Sequence, residues 1–220
     1  MYVAAIATVS GVSTTGTFVK APSMISLTTG TSGIPKGWTV IDDTDYMTLS
    51  ALGSGTITIK IPAAINSTYA TSLSYSKDKS TWTDTIIDDT AQTITIPVTS
   101  GENVYLKGIA KQLVKDYQNY ININSTANIN ISGNIMSLLY GDKYNDKTSF
   151  PEGSSYTFAY LFNNNTHLIN AEDLILPATT LANNCYYEMF NYCSSLTTAP
   201  VLLLISSLLL SSFFIEPSST

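Results

Sequence analysis

Charged side chains are scarce in this chain. Lys and Arg together number 10 and Asp and Glu 16 among 220 residues, so 12% of the chain is charged, about half the usual share. The net charge of −6 argues against nucleic-acid binding, because neutralising phosphates needs a basic surface. Ser, Thr and Asn supply the polar surface instead, which is typical of all-β extracellular or virion proteins.

Cysteine and histidine are nearly absent. The only cysteines are Cys185 and Cys193, and the only histidine is His167. Two thiols and a distant imidazole do not form a tetrahedral metal set with recognisable spacing. A Ser/His/Asp or Cys/His mechanism would have to use His167, which the surrounding asparagines favour as a surface-turn residue. We therefore predict no enzyme, metal or cofactor. The cysteines are expected to be buried thiols, with a disulfide as the alternative.

Adjacent acids occur three times, at 42–43, 88–89 and 172–173. Each pair falls in or near a predicted turn, where an Asp side chain accepts hydrogen bonds from backbone amides. Calcium binding by Asp84, Asp88 and Asp89 is the alternative, although the ligand spacing of an EF-hand is missing. A pair of glycosidase carboxylates would need a separation across a cleft that sequence does not give.

Long hydrophobic runs are also missing. The apolar start, Met1 to Val9, has no basic region before it and is not expected to be a signal peptide. The most apolar stretch, 201–215, is interrupted by serines and falls short of the ~18 uninterrupted apolar residues of a transmembrane helix. We expect no clear membrane span.

What the chain does have is strand periodicity from about residue 45. Thr56 to Ile61 alternates strictly, with Ile57, Ile59 and Ile61 on one face. Further short strands are predicted at 71–75, 81–84, 93–96, 103–107, 120–123 and 128–131, and a helical or irregular insertion at 111–117. Short strands separated by turn signals predict an Ig-like or adhesin-like β-sandwich over 44–138.

A degenerate repeat follows the strands. At a constant sequence offset of 28, Leu161-Phe162 corresponds to Met189-Phe190, Leu168 to Leu196 and Ala171 to Ala199. Such self-similarity indicates a solenoid, in which each unit buries its apolar face against its neighbours. The fold class expected is mainly β with some α: a β-sandwich followed by the start of a repeat solenoid.

The string LPATTLANNCYYEMFNYCSSLTTAP, from Leu176 to Pro200, closely resembles the BspA-like leucine-rich repeats of surface proteins from gut bacteria and their phages. The pattern along the chain predicts a strand at 174–176 and a short helix at 182–190, and the resemblance implies repeats over 139–200. It implies a repeat core of Leu161, Phe162, Leu168, Leu176, Leu181, Cys185, Met189, Phe190 and Leu196.

Both ends bear on the same resemblance. Thr15 to Met24 and Gly30 to Val40 are similar to the β-rich cap that closes such arrays, so 1–43 is expected to be the end of one array. After Pro200 the family pattern stops, and 201–220 is an atypical apolar tail. A shifted reading frame or truncated gene is one explanation, and a divergent capping segment is the other.

The resemblance implies a non-catalytic adhesion protein, extracellular or at the cell surface, or alternatively on a virion. Its partner would be a host protein or glycan, bound through exposed repeat tyrosines, for which we single out Tyr160, Tyr186, Tyr187 and Tyr192. A phage tail or head-fibre component is the second hypothesis, and a carbohydrate-active enzyme is the third and weakest. The sequence leaves the oligomeric state open.

Overall fold

The structure, a computed structural model, describes residues 17–20, 34–42 and 45–202. The chain divides into two compact units, one ending at Thr44 and the other beginning at Asp45. The described residues hold thirteen strands, one four-residue helix, α1 (Ser137–Tyr140), and a 3-10 turn at Gly141–Lys143. The prediction of a mainly β protein with a little helix is confirmed.

The first unit contributes one pair of parallel strands, β1 (Thr17–Lys20) and β2 (Thr39–Asp42). A turn precedes β2, in which the Trp38 N–H donates to the Pro35 carbonyl over 3.2 Å. Strand β2 overlaps the end of the cap-like segment 30–40. The rest of the cap-like segment, at 1–16 and 21–33, lies outside the described residues.

The second unit contains two larger sheets. The three-stranded sheet has the order β11 (Asn122–Ser125), β4 (Gly55–Ile61), β7 (Gln92–Val98), with both pairs antiparallel. The six-stranded sheet has the order β13 (Leu168–Ile175), β12 (Ile129–Asn134), β3 (Met47–Ala51), β8 (Asn103–Ala110), β5 (Ala70–Ser76), β6 (Thr83–Ile86). A two-stranded hairpin, β9 (Val114–Asp116) with β10 (Asn119–Tyr120), occupies the region predicted as a helical or irregular insertion.

Alternating side chains bury one face of each sheet in a shared core. In β4, Ile57, Ile59 and Ile61 are buried while Lys60 between them is exposed, as the period of two requires. The apolar residues of both sheets and of the repeats belong to one hydrophobic cluster. Each fully buried Ile or Leu contributes on the order of 1.5–3 kcal/mol relative to exposure.

The first repeat (156–183) covers an edge strand of both sheets. Its strand β13 pairs in parallel with β12 of the six-stranded sheet. On the other side, the Ile123 N–H of β11 donates to the Leu161 carbonyl over 2.7 Å. An uncovered edge strand is a template for aggregation, so the repeat both extends the core and protects these two edges.

The second repeat, which begins at Asn184, stacks on the first in the register of the sequence repeat. Parallel bridges join Ser155 to Asn183 and Asn170 to Thr198, both at the offset of the sequence repeat. The Phe162 and Phe190 rings lie 5.6 Å apart and nearly parallel, at 4°. Residues one repeat apart in sequence therefore occupy equivalent positions in adjacent layers.

The helix expected at 182–190 is not formed. Residues 156–165 and 184–193, here the first and second turn segments, are successions of tight turns. In the first, alternate N–H groups donate three residues back, as Leu161 does to the Phe158 carbonyl. The intervening N–H groups donate to the second turn segment, as Phe162 does to the Met189 carbonyl. Half of the amides thus bond between layers, which a helix does not allow.

Candidate binding site: a tyrosine cluster on the repeat surface

The expected repeat core is largely buried. Leu161, Phe162 and Leu168 are fully inaccessible, and the others are buried or pack against the same cluster from partly exposed positions: Leu176, Leu181, Cys185, Met189, Phe190 and Leu196. The two cysteines are free thiols. Burial raises the pKa of each thiol to about 11, so neither is a reactive nucleophile at neutral pH.

One buried polar position went unnoticed in the sequence. Asn165 is inaccessible to solvent and lies one repeat before Cys193. Its side chain donates to the Ile123 carbonyl over 3.4 Å and accepts from the Ser125 hydroxyl and the His167 N–H, both over 3.2 Å. Cys193 fills the equivalent place and donates to the Phe162 carbonyl, with S and O 3.0 Å apart. Aligning the two repeats could have revealed this position, because it pairs Asn165 with Cys193, which was expected to be buried.

Four tyrosines form a connected surface group, which we call the tyrosine cluster: Tyr120, Tyr156, Tyr160 and Tyr187. The Tyr160 ring contacts Tyr120 at 4.9 Å and Tyr187 at 5.7 Å between centroids, and Tyr156 contacts Tyr187 at 6.4 Å. The Tyr187 ring stands nearly perpendicular to both Tyr156 and Tyr160, at 80° and 83°. The cluster combines Tyr120 of β10 with tyrosines of both repeats. It therefore forms only when the hairpin and the two repeats are packed together.

The structure separates the four tyrosines named from sequence. Tyr160 and Tyr187 belong to the cluster. Tyr186 does not lie on a binding surface: it is only 5% exposed and stacks on Phe158 at 5.9 Å and 9°. The physical reason is its register, since Phe158 is the core residue one repeat earlier. Tyr192 is 69% exposed, but no ring contact connects it to the cluster within the described residues.

Two cluster tyrosines occupy a backbone conformation that disfavours them. Tyr156 and Tyr160 have φ of 52° and 61°, a left-handed conformation that is unusual for a bulky residue. The other positive-φ positions of the two turn segments hold Asn164, Asn184, Glu188 and Tyr192, and of these residue types asparagine tolerates the conformation best. Tyrosine at these positions costs backbone energy that its ring must offset, through packing or through binding.

A carboxylate lies beside the cluster. A hydrogen bond to Glu188 and its charge raise the pKa of the Tyr187 hydroxyl. The pKa of Tyr160 is raised by burial and, next, by the charge of Glu188. One Glu188 oxygen, Oε2, accepts from the Asn191 side chain over 3.1 Å. The cluster therefore presents neutral phenol rings next to one fixed negative charge.

A second aromatic group, also missed from sequence, lies on the six-stranded sheet. The Lys107 ammonium lies 4.1 Å from the centre of the Trp82 ring and 2.9 Å from Asp142 Oδ1. Tyr46 packs edge-on against Trp82 at 4.9 Å and donates to Asp142 over 2.8 Å. Because these groups satisfy one another, we interpret them as structural.

The remaining sequence candidates are dispersed. The Asp88 carboxylate accepts the Thr90 N–H over 2.9 Å within its own turn, as predicted for the pair at 88–89. The pair at 172–173 lies inside strand β13, so the turn predicted there was wrong, and Asp43 lies outside the described residues. His167 is half-buried and has its Nδ1 3.4 Å from the hydroxyl of the adjacent Thr166. Among the described residues, His, Cys, Asp and Glu do not gather in threes as a metal site would need. None of the helices in the described ranges is long and apolar enough to cross a membrane.

Comparisons with protein-family models, with curated proteins and with solved structures found no match to this chain.

Proposed function

We propose that this chain is a non-catalytic binding protein of an extracellular or virion surface that recognises a host protein or glycan. The observation that carries the proposal is the tyrosine cluster. Tyrosine rings offer large, rigid contact surfaces with a polar edge, and few rotatable bonds are fixed on binding. Tyr156 and Tyr187 expose 38% and 40% of their surface, so both remain accessible to a partner after packing against each other.

The proposal includes a β-sandwich that continues into a leucine-rich-repeat solenoid. Two features support it: the two sheets share one core with the repeats, and the layers follow the offset of the sequence repeat. The sheets would act as the base on which the repeat surface is mounted.

The test is binding to immobilised panels of extracellular host proteins and of glycans. Wild type would be compared with the double variant Tyr160→Leu/Tyr187→Leu and with Tyr192→Leu, a matched control outside the cluster. We expect the double variant to lose at least about tenfold in affinity, since two central aromatic contacts are worth more than about 1.4 kcal/mol. Tyr192→Leu should bind as wild type does. Equal binding by all three proteins would remove the cluster from the proposal.

A further inference from the structure

We propose that the tyrosine cluster and Glu188 bind an arginine side chain presented by a basic segment of a protein partner. This inference rests on the proposed binding function and names the ligand chemistry of the same site. It follows from three features of the repeat surface: its charge, the packing of its rings, and the position of its carboxylate.

The repeat segment itself carries charge of one sign only, and the Lys111 ammonium lies beside Gly153 at its start. Between residues 148 and 202 there are four acids, Glu152, Glu172, Asp173 and Glu188, and no Lys or Arg, so the net charge of this segment is 0 − 4 = −4. The neighbouring hairpin adds Lys115 and Asp116, which cancel. The whole chain contains no arginine. A surface of this kind attracts a cationic partner and repels an acidic one.

The packing of the rings leaves faces on which a flat cation can lie. The perpendicular rings have centroids 5.7 and 6.4 Å apart, within the range of aromatic pairs. Tyr156 and Tyr187 keep 38% and 40% of their surface exposed, so a ligand can lie on an exposed ring face. A planar guanidinium does this, combining stacking with the attraction of its charge to the ring.

The carboxylate of Glu188 completes the recognition. Glu188 follows Tyr187 directly in the chain and both side chains are exposed. The carboxylate raises the pKa of the Tyr187 hydroxyl, first through hydrogen bonding and next through its charge, so the two groups are neighbours on the repeat surface. A guanidinium on the ring can direct N–H groups to this carboxylate, and such charge-assisted pairs are among the stronger hydrogen bonds. Lysine reaches the same charge but does not stack as a plane.

The experiment uses three synthetic peptides that differ at two positions only: two arginines in a Gly/Ser spacer, the same with two lysines, and the same with two citrullines. Citrulline keeps the shape of arginine and removes the charge. Binding to the full chain would be followed by isothermal titration at low salt. We expect the arginine peptide to bind most tightly, the lysine peptide less so and the citrulline peptide at least about tenfold more weakly.

Variants locate the effect. Glu188→Gln and Tyr187→Leu should each weaken arginine-peptide binding about tenfold, while Tyr187→Phe, which keeps the ring, should bind within about threefold of wild type. Tyr192→Leu is the control and should not change affinity. Thermal unfolding of each variant checks that it is folded. Glu188→Gln and Tyr192→Leu should leave the midpoint nearly unchanged, whereas Tyr187→Leu loses its ring contacts with Tyr156 and Tyr160 and should lower the midpoint by a few degrees.

Two results would overturn the inference: citrulline binding as tightly as arginine, or Glu188→Gln binding as wild type does. If panel binding depends on Tyr160 and Tyr187 but not on Glu188, the proposed function stands and the arginine assignment fails. Selective binding of a neutral glycan through the cluster would likewise support the proposed function and refute the arginine assignment. If neither panel nor peptide binding depends on the cluster, the proposed function itself fails.

Discussion

The stacking of Phe162 on Phe190 gives the sharpest test of how the two repeats are assembled. The rings are nearly parallel, 5.6 Å apart, and the Phe162 N–H donates to the Met189 carbonyl over 3.0 Å. Phe162 is fully buried between the sheets and the second repeat, whereas Phe190 is half-buried. Replacing each by leucine, singly and together, removes the ring contact while keeping an apolar side chain.

The expected energies follow from these positions. Phe162→Leu should cost about 1–2 kcal/mol, because it loses the ring contact and leaves a small cavity in a close-packed site. Phe190→Leu should cost less, since its outer side already faces solvent. Because the two rings contact each other, the double variant should lose less than the sum of the two. The coupling should be about 0.5–1.5 kcal/mol, the value of an aromatic pair.

The assay is urea unfolding of the four proteins, with circular dichroism and tryptophan fluorescence required to give the same midpoint. Phe162→Leu combined with Ile96→Val is the control cycle. Strand β7, which holds Ile96, lies beyond β4 and β11 from the first repeat, about 14 Å at ~4.8 Å per strand. That pair should be additive within about 0.5 kcal/mol. Equal additivity for the Phe162–Phe190 pair would refute the stacked arrangement.

Three further predictions concern the core. Gly133→Ala should destabilise the chain by more than about 2 kcal/mol in denaturant unfolding, because φ is +76° there and a Cβ would collide with the Tyr46 carbonyl oxygen; a change below about 0.5 kcal/mol would contradict the β12 geometry. Asn165→Ala should lower the free energy of unfolding by about 2–3 kcal/mol, because it leaves buried polar groups unpaired. Asn165→Cys should lower it less, since Cys193 occupies the same position in the next layer. Equal losses for the two variants would count against the equivalence of positions 165 and 193. The free energy of unfolding should fall as pH rises from about 9 to about 11. The reason is that the pKa values of Cys185 and Cys193 are raised to about 11 in the fold, while the unfolded thiols ionise at the ordinary pKa of 9.0. The variant with both cysteines replaced by alanine should lose this part of the pH dependence, and an unchanged profile would argue against buried thiols.

The strands were predictable because their information is local. In β4, one alternating run of isoleucine and polar residues fixes both the conformation and the buried face. The register of the two repeats was predictable for a related reason, since the same apolar pattern occurs twice. Neither prediction requires knowing which parts of the chain the residue packs against.

The turn segments were not predictable in this way. The apolar spacing of 182–190 also fits a helix, and the choice of turns is made by the adjacent layer, which takes up half of the amides. The burial of Tyr186 could have been predicted by aligning it with Phe158. The tyrosine cluster could not, because Tyr120 comes from the strand region and joins Tyr160 only after the repeat has packed against the sheet edge.

The most direct test of the account is a nuclear Overhauser measurement between tyrosine rings in the wild-type chain with selectively labelled tyrosine. We expect contacts from Tyr187 to both Tyr156 and Tyr160, and from Tyr160 to Tyr120. These contacts arise only if β10 and both repeats stack in the register of the sequence repeat. Strong contacts from Tyr187 to neither Tyr156 nor Tyr160 would contradict the assembled cluster, and with it the binding surface proposed here.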